Sequence, residues 1–512
     1  MGEPSLLFHD VARVPGARRP GAIAPIAAGD LRLNELALAF ETGREGLGLG
    51  ALLLAPLGDA EDITWRHEVF RDLEGPDVAG VLRAFTAGVR AVDAHAVRAS
   101  RLPRGRERSG WQLAALEAYV AAIDGLGEGL RASTPASRGL RGIDGWVTGY
   151  RGSVAFTTLR ADVARASAAL AAISYRLRIG EHRITVERAR DEPDLGTEVR
   201  EAFARFGHPA GPTSPARAPA TRDLDPIETA ILDRVARLYP EAFAAVDACV
   251  REHAGYLEPT VSAMGRDASF YLAWLDLVAP VVAAGLPLCH PTVSPPGSEL
   301  RVTGLYDLAL ALDHVAAGRS VTPNDVLLGP GERLLVVTGP SEGGKTTLAR
   351  ALGQLHHLAA AGLPVPATAA TVPLIDAIHT LFDRGEDPAL AGGRLEADLR
   401  GIAAILPATG PASLVILNET FPSTTVADAL DLSGAVLDDF GARSARTVAV
   451  TFLDDLAGRP DAVSLACVVD PLDPGVRTYR FGRRPADGRA FAHAIAERHG
   501  LGYATILGRL TR

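Results

Sequence analysis

Apolar residues recur at three- and four-residue steps through 81–97, 112–130 and 156–177. That is the period of a helix with one buried face, so residues 62–175 are predicted to be helical. The period then changes. Tyr175-Arg176-Leu177-Arg178-Ile179 alternates, Gly180-Glu181-His182-Arg183 turns, and Ile184-Thr185-Val186-Glu187-Arg188 alternates again, which predicts a β-hairpin. Residues 208–222 are rich in Pro and Ala and read as a flexible linker. Helical periodicity resumes from Pro226 to about Val282. The most apolar stretch, 271–289, is interrupted by Asp276, Pro280 and Pro287, so it predicts a buried helix and turn and not a membrane span. Two short unbroken apolar runs, Leu334-Leu335-Val336-Val337 and Ser413-Leu414-Val415-Ile416-Leu417, have the pattern of strands buried on both faces of a parallel sheet.

Composition narrows the class. The 512 residues allow two to four domains at roughly 100–200 residues each. Hydrophobic residues at 47% and charged residues at 22% fit a globular chain and exclude overall disorder. A formal net charge of −9 excludes a generally basic nucleic-acid binder and leaves only local basic patches for such contacts. Cys249, Cys289 and Cys467 form neither a disulfide framework nor a CxxC metal site, which suits a reducing compartment. Cys289-His290 reads as a packed turn, since two ligands do not make a metal site. Glu3, His9 and Asp10 stand where a signal peptide would need an apolar run, so a cytoplasmic location is expected.

Of the 52 lysines and arginines, one is a lysine, Lys345. Lysine is a compact charge on a slim stem, where arginine is a broad planar fork. Lys345 lies in Gly339-Pro340-Ser341-Glu342-Gly343-Gly344-Lys345-Thr346, the GxxxxGKT phosphate-binding loop, followed by Thr347 and a helix-forming run. The glycines let backbone N–H groups cradle phosphate oxygens at a helix N-terminus. Lys345 is expected to reach the β- and γ-phosphates of ATP, and the Thr346 hydroxyl to ligate Mg²⁺. The second apolar run ends in Asn418-Glu419, at the carboxyl end of a strand, where a P-loop enzyme orients Mg²⁺ and attacking water. Glu419 is the candidate general base. Asn418 accepts hydrogen bonds from metal-bound water but brings no charge, so slow hydrolysis is expected.

These blocks resemble the ATPase domain of the MutS family of DNA mismatch repair proteins. Val321-Thr322-Pro323-Asn324-Asp325 resembles the lead-in to that family's nucleotide site, and residues 338–347 are similar to its TGPNMGGKST loop. Residues 362–367 resemble GxxVPA, residues 382–387 sit where the family has FxRxGxxD, residues 413–419 are similar to SLxLxDE, and Thr451-Phe452 falls where Thr-His is common. The blocks keep their order and span roughly 320–510. The resemblance implies a mostly α-helical core and lever region followed by an α/β P-loop NTPase of ABC type. The boundaries expected are 1–60 as an unassigned N-terminal segment, 61–295 as helical core and lever with a short insertion at about 175–224, and 296–512 as the ATPase domain. It further implies a homodimer with composite ATP sites, switched on DNA by ATP binding and Glu419-assisted hydrolysis.

Departures from the family pattern sharpen this. Val321 replaces a common aromatic, so weaker base stacking is expected there. The GxSTF segment, which faces the partner's γ-phosphate in family dimers, reads Gly392-Gly393-Arg394-Leu395, leaving Gly393 and Arg394 as trans-acting candidates. The usual GRGTS loop reads Phe421-Pro422-Ser423-Thr424-Thr425, which adds Thr424, and Phe452 replaces the usual His. About 60 residues precede the helical region and contain no Phe-x-Glu wedge, so mismatch reading by the family's known route is not expected. DNA phosphates have two candidate arginine clusters: Arg98, Arg101, Arg104, Arg106 and Arg108, and the hairpin's Arg176, Arg178, Arg183, Arg188 and Arg190. The alternative to a DNA-switching ATPase is a nucleotide-gated scaffold that dimerises, turns over little and binds a protein. A transporter- or kinase-type P-loop protein lacks a supporting signature.

Overall fold

The computed structural model describes residues 4–10, 23–180, 183–189, 224–382, 393–470 and 477–486. The linker at 208–222, Arg190 and the 383–387 part of the FxRxGxxD-like block lie outside them.

In chain order the helices begin with α1 (Pro25–Asp30), α2 (Leu33–Glu41), α3 (Leu49–Leu53) and α4 (Ala60–Leu73). Long helices follow: α5 (Pro76–Arg101), α6 (Arg106–Ser133), α7 (Arg138–Arg151) and α8 (Val154–Ala171). Strands β1 (Tyr175–Ile179) and β2 (Ile184–Arg188) precede α9 (Pro226–Leu238), α10 (Pro240–Glu252) and α11 (Pro259–Ala283). The remainder alternates: β3 (Thr292–Ser294), β4 (Leu300–Leu305), α12 (Leu308–Ala316), β5 (Asn324–Leu328), β6 (Leu334–Thr338), α13 (Lys345–Ala360), β7 (Ala369–Pro373) and β8 (Ala377–Phe382). It closes with α14 (Arg394–Ile405), β9 (Ser413–Asn418), α15 (Val426–Ala442), β10 (Arg446–Val450), β11 (Ala462–Val469) and β12 (Arg477–Arg483).

These elements form two compact units, one comprising Pro76–Pro135 and Gly142–Gly265, the other Gly2–Gly75, Ala136–Arg141 and Arg266–Arg512. The first is helical. α5 and α6 pack along their length and bury Leu82, Phe85 and Val92 with Leu116, Tyr119 and Ile123. The hairpin is present: β1 and β2 pair antiparallel with Leu177 opposite Val186. That pairing ends the preceding helix at Ala171, six residues short of the Leu177 to which helical periodicity extended. α9 starts on a capping box in which Asp225 accepts from the Glu228 N–H and Glu228 accepts from the Asp225 N–H. Among the described residues no helix is long and apolar enough to cross a membrane.

The second unit carries the nucleotide-type fold. Its main sheet runs β12-β11-β6-β10-β9-β8, with β11, β6, β10, β9 and β8 mutually parallel and β12 antiparallel at the edge. β6, β9 and β10 are buried at every residue, as strands covered on both faces must be. A smaller sheet, β3-β7-β4-β5, accompanies it.

The described residues 4–10 and 23–73, expected in part as an unassigned segment, belong to this same unit and pack around the helix after the P-loop. The Arg350 Nε donates to the Asp30 carbonyl at 3.0 Å, the Gln354 Nε2 to Leu31 O at 3.0 Å, and the His357 Nε2 to Leu53 O at 2.9 Å. Past the end of α13, Ala361 O accepts from the buried Arg66 guanidinium at 2.6 Å, whose Nε also binds Leu7 O. Gly353 has Leu31 directly against it, so any Cβ there would overlap the Leu31 methyls. Thirteen of the sixteen α13 residues are buried.

Candidate functional site at the P-loop

Parallel strands present their carboxyl ends on one edge, and loops there face the same space. Register makes this concrete: Val450 pairs with both Val337 and Asn418, so the ends of β6, β10 and β9 are level. The P-loop leaves β6 on this edge and Glu419 follows β9 on it.

The loop's backbone explains its glycines. Glu342 (φ 62°) and Gly344 (φ 89°) are left-handed, and the Gly343 N–H closes a tight turn onto Pro340 O at 3.1 Å. Alternating hands of this kind turn successive N–H groups inward. Gly344 is the N-cap of α13 and supplies no capping side chain, so the first-turn N–H groups are left for an anion. Lys345 opens the helix with its side chain buried. Its Nζ donates to Gly339 O at 3.0 Å and Pro340 O at 3.1 Å, and lies 3.6 Å from Glu419 Oε1. The Thr346 hydroxyl donates to Asn418 Oδ1 at 3.0 Å. Glu419 has a left-handed backbone (φ 53°) and its N–H donates to Val450 O at 2.8 Å, which fixes the carboxylate at the sheet edge.

A cavity of about 400 Å³ opens beside this loop. Glu342, Gly343, Gly344, Lys345, Thr346, Thr347, Val321 and Glu419 line it together. Gly339, Pro340 and Ser341 are not among its lining residues, and the first two meet Lys345 through their carbonyls. Asn418 stands behind, bonded to Thr346, and shares a second, shallow cleft with Glu419, Arg394 and Asp398. Arg394 is thus near this chain's own acidic strand end. Gly393 is the N-cap of α14, and Thr424 precedes α15 with its hydroxyl on Asp428 Oδ2 at 3.2 Å. Phe452, at the position of the family's His, is exposed, and Thr451 is buried with its Oγ1 accepting from the Leu453 N–H.

The arginine candidates for DNA lie on the helical unit. Arg104 is exposed in the turn between α5 and α6, and Arg106, on the first turn of α6, pairs with Asp233. Arg178 is 3.8 Å from Glu187 across the hairpin, and Arg183 is exposed at its tip. Arg98 stacks on Trp111 at 4.4 Å, and Arg188 donates to Leu238 O while covering Tyr239. Those two are committed to local structure.

Several cavity residues escaped sequence reasoning: Asp307, His314, Tyr479 and Phe481. Asp307 caps α12 and accepts from Gln354 Nε2 at 2.8 Å, and burial raises its carboxyl pKa. His314 donates from Nδ1 to Ser320 O at 2.9 Å. Tyr479 and Phe481 arrive on an edge strand more than 130 residues from the loop, and no local pattern in the chain links them to it.

A buried parallel strand, a glycine turn and a helix opened by a lysine and a threonine, set beside a second strand ending in an acid, define a P-loop nucleotide-binding domain. Residues 335–466 match the family described as MutS domain V. The chain is 28% identical over 282 residues to the DNA mismatch repair protein MutS of Granulibacter bethesdensis, covering 54% of this chain and 28% of that protein. It is 34% identical over 222 residues to the DNA mismatch repair protein MutS of a Synechococcus species (41% and 24%), and 28% identical over 274 residues to the endonuclease MutS2 of Gemmatimonas aurantiaca (52% and 32%). The chain spans about a quarter to a third of the length of these relatives. The likeness to the MutS family is carried by the P-loop domain.

Proposed function

We propose that the chain is a DNA-associated ATPase that takes ATP with magnesium at the P-loop cavity and uses nucleotide state to switch a homodimer on DNA. The observation that carries this reading is the convergence of Lys345, the Thr346–Asn418 pair and Glu419 at one edge of the sheet.

The residues suit a triphosphate. The uncapped N-terminus of α13 and the inward N–H groups complement phosphate charge. Lys345 spends its Nζ on two carbonyls and a carboxylate, partners that phosphate oxygens can displace. The residues also suit magnesium, which Thr346 and Asn418 would hold and which would neutralise charge on the β- and γ-phosphates. Glu419 accepts the proton of the attacking water as that oxygen bonds to the γ-phosphorus and the bond to ADP breaks. Asn418 supplies an acceptor without a charge, so turnover is slow. That neutral side chain also favours the second reading, a nucleotide-gated scaffold with a protein partner and little hydrolysis.

DNA enters through the names of the relatives, two DNA mismatch repair proteins and an endonuclease, and through exposed arginines on the helical unit. Arg104, Arg106, Arg178 and Arg183 are the phosphate-contact candidates, in a cytoplasmic, nucleoid-associated protein. Gly393, Arg394 and Thr424, each at the start of a helix, are candidates to reach the nucleotide of a partner copy. Steady-state phosphate release with and without duplex, mismatched and branched DNA, at two salt concentrations, tests the reading. DNA-stimulated turnover supports it. Tight ATP binding with negligible turnover, indifferent to every DNA, favours the scaffold.

A further inference from the structure

We propose that the end of the main sheet opposite the P-loop carries a second anion site, in which the buried Arg446 guanidinium, with Arg333 beside it, binds a small inorganic anion of the size of chloride. The site is separate from the nucleotide cavity, and the inference does not depend on what that cavity holds.

Arg446 opens β10, and Arg333 directly precedes β6. The two strands are parallel, Thr447 pairs with Leu334, and the Thr447 N–H donates to Arg333 O at 2.7 Å. Arg333 and Arg446 are the residues one step earlier on each strand, so they stand side by side at the amino-terminal edge of the sheet. Arg446 is 5% exposed, yet its side chain makes one hydrogen bond, from Nη2 to Ser298 O at 2.7 Å, and the buried Nη1 has no partner. Arg333 donates from Nη1 to Ser444 O at 2.7 Å, and its Nη2 is 3.0 Å from where a Cβ on Gly297 would be. The turn at 295–298, closed by the Ser298 N–H on Pro295 O at 3.2 Å, thus lies against both guanidinium groups. Among the described residues neither group pairs with a carboxylate. Glu332, next to Arg333, is taken by Arg483, and Glu299, next to Ser298, is taken by Arg301.

Two neighbouring like charges, one of them out of water, are costly to hold together. Burial and the Arg333 charge push the Arg446 pKa down to about 10, which still leaves the group protonated at neutral pH. The folded chain therefore carries a buried cation opposed only by carbonyl oxygens. Buried charges in folded proteins are paired, because an isolated one loses its hydration without compensation. An anion at Nη1 would satisfy that donor with a charge-assisted hydrogen bond and screen the two arginines from each other. His356 of α13 also feels the Arg446 charge, and both of its buried ring nitrogens are unpartnered. Its neutral ring offers one further N–H in the same region. Nη1 and the His356 nitrogens are closed off from solvent, which suits a small, fully desolvated anion and not a nucleotide.

The test is thermal unfolding of the full chain at fixed ionic strength, with gluconate replaced stepwise by chloride, for wild type and Arg446→Met. Chloride is expected to raise the wild-type melting temperature saturably, by about 3–6 °C at ten times its dissociation constant. Methionine fills much of the same space without a charge, and replacing a buried ion by an apolar group is often neutral or stabilising. The variant is therefore expected to melt no lower than wild type in gluconate and to lose the response to chloride. A response that came from chloride at the P-loop would persist in Arg446→Met. Wild type that melts alike in gluconate and chloride, or a variant that gains as much from chloride as wild type does, overturns the proposal. Should Arg446→Met not fold, anomalous scattering from wild-type crystals soaked in bromide decides: a peak beside Arg446 Nη1 is expected, and its absence overturns the site.

Discussion

The two ends of α13 are built on opposite terms. At its N-terminus the backbone is strained at Glu342 and at neighbouring Glu419, polar groups face a cavity, and the buried Lys345 bonds only to carbonyls and one carboxylate. Towards its C-terminus the helix is sealed by protein partners, although both ring nitrogens of the buried His356 lack one. Leu31, Leu53, Leu57, Arg66 and Asp30 meet it with hydrogen bonds, and Gly353 admits Leu31 to touching distance. One end holds partners that a ligand can displace, while the other gives the loop a rigid base. Pre-organised sites need such a division, because an unfilled anion cradle costs free energy that packing elsewhere must offset.

The comparison can be broken at either end, and the open end gives the larger effect. Glu419→Gln keeps the shape of the side chain and removes the proton acceptor. Phosphate release is expected to fall by roughly 10²–10⁴-fold while ATP affinity is retained, as read from steady-state kinetics beside equilibrium binding. A variant that hydrolyses normally would remove Glu419 from its role. At the sealed end the expected loss is in stability. Gly353→Ala forces a methyl into Leu31 and should cost about 1–3 kcal/mol in chemical denaturation, with ATP affinity per folded molecule unchanged. An alanine variant of wild-type stability would mean that the N-terminal cover yields easily.

Acid should also act on the sealed end. Burial holds His356 at about 3 and His357 at about 4, below the 6.5 of an exposed imidazole; His67, in the same unit, is held at about 3. Each is neutral when folded and takes up a proton on unfolding below pH 6.5. Their contribution is thus complete above pH 6.5 and is lost as pH falls towards 4 and then 3. The slope is about 1.4 kcal/mol per pH unit for each histidine. Asp267 and Asp307, raised by burial, work in the opposite sense over the carboxylate range, so a variant isolates the imidazole part. His357→Gln can still donate to Leu53 O, and urea unfolding between pH 7 and 5 should show its decline reduced by about one proton. An unchanged slope would show that His357 titrates normally in the folded chain.

How much of this was legible along the chain follows from sequence distance. Gly339 to Thr346 is one contiguous block whose chemistry needs no partner to be recognised, and the strands on either side advertise themselves by unbroken apolar runs. Asn418-Glu419 is legible because it ends such a run. The hairpin was legible from its alternation, which persists although both faces are largely exposed. What joins residue 31 to 353, 66 to 361 and 324 to 479 is tertiary packing between stretches whose local patterns are unremarked helix or strand. Leu31 carries no mark that it will lie on a glycine three hundred residues away. Tyr479 belongs to an ordinary alternating run, and only the slipped register of β11 and β12 shows where its ring goes.

The central claim is that one amino group at the open end of α13 grips a triphosphate. Calorimetric titration of ATP with magnesium into wild type and Lys345→Ala, with melting temperatures alongside, tests it most directly. Saturable one-site binding to wild type is expected, lost at least a hundredfold in a variant that stays folded. A folded wild-type protein that gives no heat with ATP, or a Lys345→Ala variant that binds it equally well, would contradict the claim.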